Sequence, residues 1–239
     1  EDIKIATGFS HQSQDGIIKG SDFSKWSVRL NTEYKIKKNV TIGENFTFAN
    51  SNTNNGPSLV WDAHRLEPIT NPYLPEYEQE GLSEFSIFSP TVTDVPNALG
   101  QLARSFDDTA YYRTIGNFYV NWEIIEGLSF KSQYSIYFSS YENNWFAPDY
   151  YIEETDKRVI NSVGRIHNNK TNTTWNNFAA YTKDFGEHSL NVMGGIVLES
   201  QLHKTLSAQA ENTPSNHPDL RYLDAATEAY FASGNNEQY

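Results

Sequence analysis

The 239 residues carry 18 Lys and Arg against 30 Asp and Glu, a formal net charge of -12, and no cysteine. The acidic balance argues against a nucleic-acid partner, which needs a basic face. The missing cysteine excludes a disulfide framework and a thiolate metal site. Aromatics are 14% of the chain, with 15 Tyr, 14 Phe and 5 Trp, yet mean hydropathy is -0.63 and no run of ten apolar residues exists. A transmembrane helix is therefore excluded, whereas barrel strands, whose two faces average out, are not.

In chain order the dominant signal is alternation of period two. Ile3, Ile5, Thr7 and Phe9 alternate with Lys4, Ala6, Gly8 and Ser10. From Phe23 to Tyr34, Trp26, Val28, Leu30, Thr32 and Tyr34 share one face, opposed by Lys25, Ser27, Arg29, Asn31 and Glu33. Val40, Ile42, Phe46 and Phe48 follow, with Glu44 breaking their apolar face. Phe118, Val120, Trp122 and Ile124 oppose Asn117, Tyr119, Asn121 and Glu123. Leu128, Phe130, Tyr134, Ile136 and Phe138 are interrupted by Ser132, and Trp175, Ala179 and Tyr181 by Asn177. Leu190, Val192, Gly194, Ile196 and Leu198 form the last run. None of these has the three-and-four spacing of a helix.

The connections sort by length. Residues 36–39, 125–127 and 184–187 are short and turn-like; those from Gln12 to Asp22, Thr53 to Ala110, Glu142 to Lys157, and Lys204 onward are long. Strict alternation of long and short is the asymmetry of an up-and-down outer-membrane barrel, with short periplasmic turns and long extracellular loops. The longest loop holds Pro57, Pro68, Pro72, Pro75, Pro90 and Pro96, six of the nine prolines, which central strands exclude. Helices are expected at Ser58–Arg65, Asn97–Arg104 and Leu220–Phe231. The fold class is thus all-β: about seven antiparallel up-and-down strands from a transmembrane β-barrel, with long, partly helical loops. Seven strands cannot close, so residues 1–239 are expected to be a partial barrel domain that pairs with other barrel segments.

Several segments then resemble a known family. Gly16-Ile17-Ile18-Lys19-Gly20-Ser21-Asp22-Phe23 with Ser27-Val28-Arg29-Leu30-Asn31 resembles early barrel strands of the SusC/RagA-like TonB-dependent transporters of Bacteroidota. Arg113 to Trp122 with Gly127-Leu128-Ser129-Phe130-Lys131, Trp175-Asn176-Asn177-Phe178, and His188 to Gly195 look like later strands of the same barrels, in the same order. The resemblance implies a 22-stranded plugged barrel in the bacterial cell outer membrane, energised by the TonB complex. It further implies a SusD-like surface lipoprotein as lid and an oligosaccharide or peptide as substrate. The plug domain, the TonB box and the rest of the barrel have no counterpart in these residues.

Strand aromatics such as Trp26, Tyr34, Trp122, Tyr134 and Trp175 suit an interfacial belt, or equally the core of a soluble β-domain. On the barrel reading Trp26, Val28, Leu30, Phe118, Val120 and Trp122 face lipid, and Lys25, Arg29, Glu33, Asn117, Asn121 and Glu123, with Lys131 and Gln133, line the lumen. Loop aromatics are candidates to stack on sugar rings: Trp61, Tyr73, Trp145 and Tyr150 foremost, with Tyr77, Phe146 and Tyr151. Packing within loops is the plainer role for each. Asp107-Asp108 and Glu153-Glu154 with Asp156 pair carboxylates, but strand neighbours face opposite ways, and glycoside hydrolysis needs two across one bond. The six histidines show no ligand spacing, and no nucleophile elbow or phosphate loop occurs. Neither an enzyme nor a cofactor is expected. The competing reading is a soluble β-sandwich carbohydrate-binding module, which requires two packed sheets with Greek-key connections.

Overall fold

The computed structural model describes residues 2–66, 68, 73, 95, 97–153 and 156–239. Of the residues singled out above, Tyr77, Glu154, Pro72, Pro75, Pro90 and Pro96 lie outside that set. The strands are β1 (Ile3–Asp15), β2 (Asp22–Lys37), β3 (Val40–Asn54), β4 (Phe106–Ile125), β5 (Leu128–Ala147), β6 (Tyr150–Glu153), β7 (Asp156–Arg158), β8 (Ser162–Phe185), β9 (His188–Glu211) and β10 (Glu228–Gln238). Two one-and-a-half-turn helices, α1 (Val60–Arg65) and α2 (Ala98–Ala103), sit in the longest connection, inside the two spans expected there. The side chain of Asn97 caps α2 by accepting from the amides of Leu99 and Gly100, the reason that helix starts where it does.

Eight strands make one antiparallel sheet in the order β1-β2-β3-β4-β5-β8-β9-β10, while β6 and β7 form a separate hairpin in the loop above β5. Every neighbour in the large sheet is also the next of its strands in sequence, so it is a pure meander. Among the described residues no Greek-key crossing occurs and no second sheet packs on it, which removes the sandwich reading. The strands of this sheet number eight among the described residues rather than about seven, because the segment expected as a helix over Leu220–Phe231 is something else. Two 3-10 turns, Pro218–Leu220 and Leu223–Ala225, are followed by β10, which takes its hydrogen bonds from the edge of β9. Several strands also run into their expected connections, and β4 starts at Phe106 inside the expected Thr53–Ala110 loop. β1 reaches Asp15, β5 reaches Ala147 and β9 reaches Glu211, because the ladder continues after the apolar alternation stops.

The short connections tighten to two-residue turns, Lys38-Asn39, Glu126-Gly127 and Gly186-Glu187. Gly127 sits at φ +80, a backbone state that costs a residue with a Cβ, and such a Cβ would also overlap the carbonyl of Thr182. Neighbouring turns are stitched together. The Asn39 side chain donates to the Glu123 carbonyl (2.8 Å), and the Thr182 amide donates to the Gly127 carbonyl (2.8 Å).

Register fixes the faces. Directly paired residues share a face, so Phe9, Val28, Phe48, Thr114, Phe138, Thr171 and Leu202 form one row. Ile3, Tyr34, Ile42, Val120, Ser132, Asn177 and Ile196 form another on the same side. This apolar face is unusually open: Phe9 is 72% exposed, Ile5 66% and Ile196 65%, whereas among the described residues the large side chains that are completely buried are those of Val95 and Val163. So large a contiguous apolar surface is not stable against water. The two lapses noted in sequence, Ser132 and Asn177, are a direct cross-strand pair. Ser132 Oγ donates to Asn177 Oδ1 (2.8 Å) and accepts from Trp175 Nε1 (3.0 Å), so the polar groups satisfy each other within the apolar face.

Candidate functional site

The opposite face is polar and carries its own network. Lys25, Arg29 and Glu33 on β2 alternate against Trp26, Val28 and Leu30, and the register brings Asn117, Asn121 and Glu123 of β4 onto the same side as these three. Lys4 Nζ bonds Glu33 Oε1 at 2.8 Å, and the Tyr119 hydroxyl donates to Glu33 Oε2 at 3.1 Å. Tyr119 belongs to β4 and Glu33 to β2. The ring reaches across β3 only because the intervening residue is Gly43, where any Cβ would overlap the Tyr119 ring. The Lys131 ammonium lies 5.7 Å from the centre of the same ring, so one chain of contacts spans β1 to β5. Two further cross-strand pairs on this face repeat the arrangement: Trp145 covers Gly164 and Phe178 covers Gly195. Asn117 Oδ1 accepts from Ser135 (3.4 Å), Asn121 stands between Thr41 and Lys131 in register, and Glu123 closes the row beside the Asn39 turn. Lys25 and Arg29 are in register with Ser51 and Thr47.

Toward the end with the long loops the polar face holds a second cluster. Asp107 Oδ1 accepts from Asn143 Nδ2 (2.6 Å) and Asn55 Nδ2 (2.9 Å), and both amides also reach Thr109 Oγ1. Asp108, one residue on, points to the other face, so the Asp107-Asp108 pair presents no two carboxylates across a common gap. Burial, then the carboxylates of Asp107 and Asp22, push the Asp108 carboxyl above its ordinary value. Arg165 and Arg221 oppose that shift.

On that other face the connection after β9 folds back as a clasp. Arg221 stacks on Phe106 (3.7 Å) and Phe146 (4.8 Å), while its Nε and Nη2 donate to the Asn216 carbonyl (3.0 and 2.8 Å). Arg165 Nη2 donates to the Arg221 carbonyl at 2.8 Å. Leu223 and Ala226 pack on the small core of Phe146, Val163 and Ala210. Buried Asn161 latches the clasp to the β5–β8 connection, donating to the Thr213 carbonyl (3.1 Å) and accepting the Thr213 amide (2.7 Å). Asn216 Nδ2 bonds the Asp149 carbonyl (3.0 Å).

The four aromatic candidates do not converge. Trp61 on α1 and Tyr73 are exposed at 68% and 50%. The Tyr150 ring carries the Arg104 guanidinium at 3.9 Å, and Trp145 lies against Gly164. Only Trp145 borders the cleft under the clasp, a space of about 420 Å³ lined also by Asn54, Asp108, Asn144, Arg165 and Arg221. Reading the sequence missed this group, since its members come from five separate segments and nothing local marks them. Only the cross-strand register brings them together.

No family model matches the chain. It is 23% identical over 223 residues to TonB-dependent receptor P3 of Formosa agariphila, an alignment covering 89% of this chain and 21% of that protein. TonB-dependent receptor P26 of the same organism is 22% identical over 217 residues, with 88% and 21% covered. The chain therefore spans about a fifth of the length of these curated relatives. Among solved structures, the RagAB peptide importer in its closed-closed state superposes with a TM-score of 0.81 at 13% identity, over 100% of this chain and 27% of that one. The structure of the RagAB peptide transporter gives 0.78 at 14%, over 99% and 27%. The SusC/RagA-like resemblance is thus borne out, as is the antiparallel barrel-wall fold, and an outer-membrane location goes with both.

Proposed function

We propose that residues 1–239 are a wall segment of a TonB-dependent outer-membrane transporter that imports glycans or peptides together with a SusD-like lipoprotein. The plug on which TonB acts and the remaining strands belong to the rest of such a barrel. The observation that carries this reading is the pair of faces on one eight-stranded meander: one apolar and exposed, one polar and internally bonded. A bilayer covers the first, and a wet, plugged lumen suits the second. The sheet also ends in two strands, β1 and β10, each paired on one side only among the described residues. A bilayer does not tolerate free edges, so further strands complete the wall.

On this reading Trp26, Val28, Leu30, Phe118, Val120 and Trp122 face lipid. Lys25, Arg29, Glu33, Asn117, Asn121 and Glu123 line the lumen. The two-residue turns are periplasmic and the long loops extracellular, which puts the exposed ring of Trp61 on the side from which substrate arrives. No step of bond chemistry is assigned to any residue.

These 239 residues contain no cysteine, so a cysteine placed in this segment has no competitor within it. Single cysteines at Val28, Val120, Asn117 and Asn121 in the full-length receptor, in intact cells and in lipid vesicles, report their surroundings. A water-soluble thiol reagent should modify Asn117→Cys and Asn121→Cys, and spare Val28→Cys and Val120→Cys, whose attached spin labels should be relaxed by dissolved oxygen. The opposite pattern would overturn the assignment of faces.

A further inference from the structure

The cleft beneath the clasp lies on the apolar side of the sheet but above its apolar band, and wall construction does not account for it. Its floor is a single register row, Asn54, Asp108, Asn144 and Arg165 side by side on β3, β4, β5 and β8, and Asp22 of β2 continues the row beyond the cleft. Arg221 and Tyr222 of the clasp form one wall, and Gly20 of the connection before β2 stands in the other. The Asp22 carboxylate is engaged by Asn54 Nδ2 (2.5 Å). Asp108 makes no side-chain hydrogen bond or ion pair with any described residue. The two guanidiniums are held in place by backbone carbonyls, Arg165 by those of Gly164 and Arg221 and Arg221 by that of Asn216, which leaves further N–H groups for a guest.

The row thus offers an acceptor, an amide, a charged donor and a second charged donor above them, over a space of about 420 Å³. Vicinal hydroxyls match such a row, since each donates to a carboxylate while accepting from an amide or guanidinium. A phosphate fits worse, because it would meet the carboxylate of Asp108, with that of Asp22 next along the row but one, along with the guanidiniums. Position then selects the source. The row lies four residues beyond Trp26 on β2, about 10 Å above the band at ~3.3 Å per residue and a tilt of ~40°. A phospholipid headgroup layer is only about 5–8 Å deep, so only a lipid with a saccharide headgroup reaches this height from the same side.

We propose that this cleft holds a sugar of an outer-leaflet glycolipid. The proposal rests on the outward assignment of the face, and the cysteine labelling above tests that assignment separately. The probe is rough-type lipopolysaccharide, added to the full-length receptor in a detergent without a sugar headgroup and counted by native mass spectrometry. One molecule should be retained at this site. Its deacylated core oligosaccharide should compete, phosphatidylglycerol should not be retained in its place, and Asp108→Asn and Asn144→Ala should each weaken retention at least tenfold. Neither substitution touches the strand ladder, and heat-modified gel mobility verifies folding of both. Unchanged retention in both variants, failure of the oligosaccharide to compete, or equal retention of phosphatidylglycerol would each overturn the proposal. If labelling holds while retention fails, the wall reading stands and the glycolipid site falls.

Discussion

Replacing Ser132 with alanine is the sharpest probe of what lies against the apolar face. The Ser132 hydroxyl accepts from Trp175 Nε1 at 3.0 Å and donates to Asn177 Oδ1 at 2.8 Å. In water, solvent takes over both partners once the serine is gone, so the net loss per bond falls to the low end of about 0.5–1.5 kcal/mol. Against hydrocarbon no such replacement exists. Side-chain hydrogen bonds within membranes are worth about 0.6–2 kcal/mol each, and an orphaned donor or acceptor adds to that. Two lost bonds therefore cost about 2–4 kcal/mol if lipid covers the face, and under ~1 kcal/mol if water does. The assay is reversible unfolding of the full-length receptor in phosphatidylcholine vesicles, followed by circular dichroism because one partner is a tryptophan. A cycle with Trp175→Phe isolates the first bond, for which a coupling of about 1 kcal/mol is expected. A Ser132→Ala cost below ~0.5 kcal/mol in vesicles, or no coupling to Trp175, would refute lipid contact at this position.

Three other outcomes follow from the geometry. Gly43→Ala should displace the Tyr119 ring from Glu33 and destabilise by about 1–3 kcal/mol in the same assay, and adding Tyr119→Ala should recover much of the loss. Glu44, in register with Thr32 and Phe118 inside the apolar band, should give about 1–2 kcal/mol of added stability when changed to leucine, against no gain if that face is wet. The Asp108 carboxyl titrates above its unfolded value, so protonation favours the folded rim. Protection of the 212–227 clasp from proteolysis should therefore rise as pH falls through that titration, from its lowest value near neutrality, and Asp108→Asn should flatten the profile.

What was legible in the sequence was the alternation of apolar and polar side chains along single strands. Phe23 to Tyr34 and Asn117 to Ile124 alternate between apolar and polar side chains, and those runs set the strands and their faces. Beyond those runs neither face is apolar, so His11, Asn52, Glu142 and His167 carry no alternation although the ladder runs through them. That is why β1, β5 and β9 were read short. The stretch after Pro218 has leucines at helical spacing, yet the unpaired edge of β9 outweighs local preference and draws residues 228–238 into a strand. Glu44, Ser132 and Asn177 looked like noise along their own strands. Two of them are partners, which only the register reveals. The clasp and its cleft were illegible for the same reason, since Asp22, Asp108, Arg165 and Arg221 meet across strands and not along them.

The strands differ in length above a common base. From their turns, β3 runs 15 residues and β9 runs 24. At ~3.3 Å per residue and a tilt of ~40°, the top of β9 stands roughly 20 Å higher than the top of β3. The wall therefore ends in a ramp and not a level ring. A body seated on it would rest on the tall flank and lean over the low one, and so would have a single preferred direction from which to tip open.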